Sequence, residues 1–176
     1  MAATGSVLTQ SDSNTKIEAT GASSSYVASD VSDIVEAVMP SIVSITNVSE
    51  SQYQSFFGGT QTQQSTSCGS GIIVSQDADN LYIATNNHVV EGADSLTVAF
   101  SDNTTVSAEI KGTDPSTDLA VIRVALSSID SDTLNTIKVA TLGNSDDLKA
   151  GQAAIAIGNA LGYGQSVTTG VISALN

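Results

Sequence analysis

From residue 69 to residue 125 the chain repeats one pattern: short runs of β-branched and apolar residues, each ended by a cluster of Gly, Asn, Asp or Ser. Period-two runs of this length, bounded by turn residues, make strands rather than helices. Residues 71–75 and 81–85 flank the turn Gln76-Asp77-Ala78-Asp79-Asn80. Residues 95–100 put Leu96, Val98 and Phe100 on one face, and after Ser101-Asp102-Asn103 residues 104–111 put Val106, Ala108 and Ile110 on one face. The loop 112–117 then leads to Asp118 and a strand over 119–124. So many short strands spaced by turns leave a closed barrel or a sandwich as the architectures open to the chain.

On the N-terminal side, residues 1–28 are rich in Ser, Thr, Ala and Gly and read as a tail or linker, because they offer too little apolar surface to offset chain entropy. Ser29 and Asp30 are placed to cap a short helix with Val31, Ile34, Val35 and Val38 at helical spacing, ended by Pro40. A strand is expected over 41–48, then a polar, Gln-rich loop over 49–67. Tyr53, Phe56 and Phe57 interrupt that loop and suit either a contact with another chain or a local cluster. On the C-terminal side a polar connector over 126–137 leads to a second set of strands at 139–142, 152–158 and 166–175. The last of these has no partner after it, so the second unit reads as unfinished.

The chemistry centres on residues 81–92, which carry the only histidine. Imidazole is the side chain that exchanges protons near neutrality, and His88 sits where a strand gives way to a loop, a common place for catalytic groups. The alternative is a hydrogen-bonded histidine half-buried beside Val89 and Val90. Cys68 is the only cysteine, which excludes an intrachain disulfide and makes a thiol nucleophile paired with His88 worth considering. Its small neighbours Gly69, Ser70 and Gly71 more simply mark a tight start to a strand. One His and one Cys do not fill a zinc site, and no metal or cofactor is expected. Asp118 could orient His88, although on spacing alone a turn-capping aspartate reads better.

The net charge of −13 argues against nucleic acid and anionic membrane surfaces, which need clustered Lys and Arg. No apolar run approaches the ~20 residues that span a bilayer. Residues 1–6 lack the basic start and apolar core of a signal peptide, so the protein is cytoplasmic or its export signal lies outside these residues.

The stretches Gly69-Ser-Gly-Ile-Ile-Val74, Ala84-Thr-Asn-Asn-His-Val-Val-Glu-Gly-Ala93, Gly112-Thr-Asp-Pro-Ser-Thr-Asp-Leu-Ala-Val-Ile122, Ala140-Thr-Leu-Gly-Asn-Ser145, Ala156-Ile-Gly-Asn159 and Val167-Thr-Thr-Gly-Val-Ile-Ser173 run in unbroken order. Together they resemble the bacterial HtrA (Deg) family of trypsin-like serine proteases, over residues 32–176. The resemblance implies an all-β, chymotrypsin-like double β-barrel with a short N-terminal helix. In it, residues 29–125 form a complete first barrel, 126–137 a connector, and 138–176 the start of a truncated second barrel. It further implies the triad order His, Asp, Ser, with His88 as general base and Asp118 as its orienting carboxylate.

The family's nucleophile lies in a Gly-Asn-Ser-Gly-Gly motif, and these 176 residues hold none. Gly143-Asn144-Ser145 is followed by Asp146 and Asp147, poor neighbours for an oxyanion, and Ser70 belongs to the first barrel, so neither serine is expected to be catalytic. The family's proline after Gly-Asn is Ala160 here. Residues 1–176 are therefore expected to be an inactive fragment. By resemblance the whole protein would degrade unfolded or misfolded polypeptides outside the cytoplasm of a bacterium, as a homotrimer with a membrane anchor before Met1 and a PDZ domain C-terminal to the protease. A non-catalytic, protease-like module that binds polypeptides is the alternative. An unrelated β-sandwich adhesion domain fits the composition but not the ordered motifs.

Overall fold

The computed structural model describes residues 30–54, 60–159 and 165–175, side chains at 51–54 and 60–62 excepted. The expected tail, Phe56, Phe57, the side chain of Tyr53 and Ala160 lie outside that description. Where apolar residues alternate, strands form and pair: β1 (Ile42–Gln54), β2 (Thr60–Gln76), β3 (Asn80–Thr85), β4 (Ser95–Ala99), β5 (Thr105–Asp114) and β6 (Leu119–Ala125). All neighbours are antiparallel, and the sheet closes on itself in the order β1-β2-β3-β6-β5-β4. Closure comes from Ser44–Val48 of β1 lying against Ser95–Ala99 of β4, and from Asn80–Thr85 of β3 lying against Ala120–Ala125 of β6. The inward residues Val43, Ile45, Ile73, Leu81, Ile83, Val98, Ile122 and Val124 fill the barrel and are wholly buried. Burial of this apolar surface is the main force holding the closed sheet.

The chain then passes through α3 (Ser131–Thr136) to β7 (Ala153–Gly158) and β8 (Ser166–Val171), which pair with each other. A closed barrel followed by the opening strands of a second unit is the expected chymotrypsin-like, all-β arrangement, and α1 (Ser32–Val38) is the expected N-terminal helix. The second unit is fastened to the first by Asn159. Its backbone N–H donates to Ser70 Oγ at 2.6 Å, and its side-chain amide donates to Ser44 Oγ at 3.0 Å. Gly158 allows this approach, since a Cβ there would lie 3.0 Å from Ser70 Oγ.

Several local expectations are corrected. Helix α1 starts on Val31 without a side-chain cap bond, and its Ile34 and Val38 are exposed. The polar stretch 49–67 is not simply a loop. Glu50 pairs with Gln64 and Gln54 with Thr60, so β1 and β2 continue as a long hairpin whose ladder needs no apolar face. No strand forms over 139–142, where the backbone instead sends single bonds to the first barrel, from Lys138 to Pro40 and from Ala140 to Ile73. Ile110 is 44% exposed at the point where the β5–β6 register slips, between Ile110 and Gly112, so the inward alternation expected for this strand ends there. The connector is not merely polar either: Ile129 and Thr133 are buried.

Candidate active site

His88 sits in α2 (Asn87–Val90), a single helical turn rather than a loop. Strand β3 delivers the chain to it, and the Thr85 hydroxyl fixes the strand end by donating to the Ser70 carbonyl at 2.7 Å. Asn86 occupies the N-cap in extended conformation, which turns the backbone into the helical turn. A four-residue turn presents its first N–H groups without partners of its own, and Asp118 supplies them. The Asp118 carbonyl accepts from the Asn87 N–H at 3.1 Å, and Asp118 Oδ1 accepts from the His88 N–H at 3.0 Å.

The other carboxylate oxygen meets the imidazole: His88 Nδ1 lies 2.8 Å from Asp118 Oδ2. Asn86 closes the arrangement by donating its amide to the Asp118 carbonyl at 3.1 Å and to Oδ2 at 3.2 Å. Asp118 thus grips both the backbone and the ring of one residue, which fixes where the ring is and which way it faces. The His88 N–H bond, then the His88 ring and the Asn86 amide, hold the Asp118 carboxyl below the usual carboxylate range. With an ionised acceptor at Nδ1, the proton of a neutral ring belongs there, and Nε2 is left as the basic nitrogen. The His88 side chain is 68% exposed and that of Asp118 47%, so the pair lies open to solvent.

Asp118 itself has φ +53°, a left-handed conformation that Asp tolerates better than most residues. The turn-capping role that spacing suggested for Asp118 falls instead to Asp114. Its carboxylate accepts from the Ser116 N–H at 3.0 Å and from the hydroxyls of Ser116 and Thr117 at 2.6 and 2.9 Å. The two aspartates of one loop have divided the work: Asp114 shapes the turn and Asp118 reaches across to α2.

The remaining candidates engage other groups. Cys68 Sγ lies 4.0 Å from Thr46 Oγ1, Ser70 Oγ accepts from Asn159, and Ser145 opens a 3₁₀ turn at the surface. A groove of about 250 Å³ runs beside Asn86 between the two units, lined chiefly by Ile42, Ile72, Leu119 and Ile157 with Ser70 and Thr85. Two further residues bear on α2: Gly69, which the sequence marked only as a tight start to a strand, and Asn47, which it did not single out. Gly69 leaves room for Val89, whose Cγ2 would collide with a Cβ at that position. Asn47 holds the far end of the turn. Its sequence signal is an Asn in the middle of a β-branched run, where the residue type is unfavoured.

Residues 69–176 match the family described as a trypsin-like peptidase domain. The serine protease Do-like HtrB of Bacillus subtilis (strain 168) is 42% identical over 153 residues, covering 85% of this chain and 32% of that protein. A probable periplasmic serine endoprotease DegP-like of Halomonas elongata is 47% identical over 115 residues, covering 65% of this chain and 22% of that one. Among solved structures, the HtrA-type protease AlgW with decapeptide superposes with a TM-score of 0.62 at 30% identity, covering 81% of this chain and 45% of that one. The chain spans about a third of the length of the first two curated relatives, at 32% and 33%.

Proposed function

As this chain belongs to the HtrA (Deg) family of trypsin-like serine proteases, we propose that His88 is the general base and Asp118 the orienting carboxylate of a serine endopeptidase. The observation that carries the reading is the two-point hold of Asp118 on the His88 N–H and Nδ1. With Nδ1 committed to Asp118, Nε2 takes the hydroxyl proton of the attacking serine and later returns it to the leaving amine. Asp118 stays ionised throughout and supports the imidazolium that forms in between.

On this reading residues 29–125 are the first barrel, 126–137 the connector and 138–176 the start of the second barrel. The nucleophile and the oxyanion donors lie outside residues 1–176, so this segment alone does not cleave peptides. The whole protein acts on unfolded or misfolded polypeptides as a homotrimer with a PDZ domain C-terminal to the protease. Relatives named as periplasmic support a place outside the cytoplasm. No helix among the described residues is long and apolar enough to cross a membrane.

A fluorophosphonate probe tests this. In the full-length protein it should label one serine beyond Asn176, and His88→Ala should slow labelling by about three orders of magnitude or more. Residues 1–176 alone should leave casein uncut. Labelling at full rate in His88→Ala would remove His88 as the base, and His88-dependent casein cleavage by the 176-residue chain would place the nucleophile within it.

A further inference from the structure

A helical turn of four residues is far too short to hold its own shape in water, so the position of the His88 ring depends on what grips α2. Asp118 grips its start. At its end, the Asn47 side-chain amide donates to the Val89 carbonyl at 3.0 Å and to the Glu91 carbonyl at 3.1 Å. We infer that Asn47 is a positioning residue for His88, which sets the imidazole by holding the C-terminal carbonyls of its turn. The inference rests on the reading of His88 and Asp118 given above.

Three observations support it. First, Asn47 stands on rigid ground: its backbone pairs with Ser67 of β2 on one side and Leu96 of β4 on the other. Second, Asn is a costly choice at this place. The residue is 3% exposed, and its Oδ1 is buried with no hydrogen-bond partner among the described residues. Valine would give a better strand residue with no unpaired acceptor. What Asn alone among short side chains offers is two N–H donors on one atom, and both are used on α2. Third, the end of the turn is packed as well as bonded. A Cβ at Gly69 would collide with the Val89 side chain, so glycine lets Val89 sit against β2 while Asn47 holds the Val89 carbonyl. Without the amide, two carbonyls at the end of the turn would seek water and carry the His88 backbone away from Asp118 Oδ1.

His88 is the only histidine in the sequence, so isotope labelling of histidine alone gives its ring and backbone amide unambiguous NMR signals in the 176-residue chain. Asn47→Ala should speed exchange of the His88 amide by about tenfold or more and reduce the share of ring protonated at Nδ1. Thr133→Val, which removes a buried hydroxyl from the connector, should leave both signals unchanged at matched global stability. Asn47→Ser, with one donor, should fall between wild type and Asn47→Ala, and it carries the test if the alanine variant does not fold. In the full-length enzyme Asn47→Ala should lower kcat by about 10–100-fold with KM within about twofold. Unchanged amide protection and tautomer in both Asn47 variants would overturn the positioning role. If Asp118→Asn also leaves the His88 tautomer unchanged, the underlying dyad reading fails instead.

Discussion

Asp118 is one residue with two tasks, and its geometry predicts how they respond to pH. One oxygen takes the His88 N–H and the other the His88 ring, and both favour the charged form, so the folded carboxyl titrates below its ordinary value of 3.8. A depressed folded value stabilises the fold above the unfolded value, and that contribution is lost as pH falls through the folded one. Asp77, Asp102 and Asp114 are lowered too, so raw acid melting mixes several groups. The clean quantity is the difference in melting temperature between wild type and Asp118→Asn. It should be full above pH 3.8 and close progressively on further acidification; a gap of constant size down to the acid limit would count against the two-point hold. Asn tolerates the left-handed φ of +53°, so backbone strain should not obscure the comparison.

At the level of elements, the connector makes a similar point about contacts that sequence patterns hide. Asp130 caps α3 by accepting from the Thr133 N–H at 2.9 Å, and the Thr133 hydroxyl, in a side chain 1% exposed, donates to Asp102 in the β4–β5 turn. Thr133→Val keeps the shape and removes the bond, and because Asp102 can turn to water the expected loss is about 1 kcal/mol, or about 2–4 °C in melting temperature. An unchanged melting curve would show that packing, not this bond, docks the connector. The strands with buried alternation, β3, β4 and β6, were legible because period two and burial coincide there. The polar arms of the β1–β2 hairpin were not, since backbone pairing sustains them without apolar residues. His88 was legible as the only histidine, whereas on spacing Asp118 resembled a turn cap, the role Asp114 fills. The helical turn α2 was hidden for a related reason: Asp118 and Asn47, distant in sequence, hold it.

For the molecule as a whole, 18 acidic against 5 basic residues leave a net charge of −13. The described ion pair of Arg123 with Glu109, at 2.6 Å, is exposed and adds little stability. Self-repulsion should therefore outweigh attraction, and raising sodium chloride from about 0.05 to about 0.5 M should raise the melting temperature by about 2–4 °C through screening. A fall would mean that favourable charge pairs dominate. The barrel's closure also has a consequence in time. His88 follows β3 and Asp118 precedes β6, and these two strands are joined by pairing that runs from Thr85–Ala120 to Asn80–Ala125. Contacts between such distant segments form late and slowly compared with hairpins. A chain leaving the ribosome therefore carries an unaligned histidine until Ala125 has emerged and β6 has paired with β3, and protection of the His88 amide should mark the moment at which that seam forms.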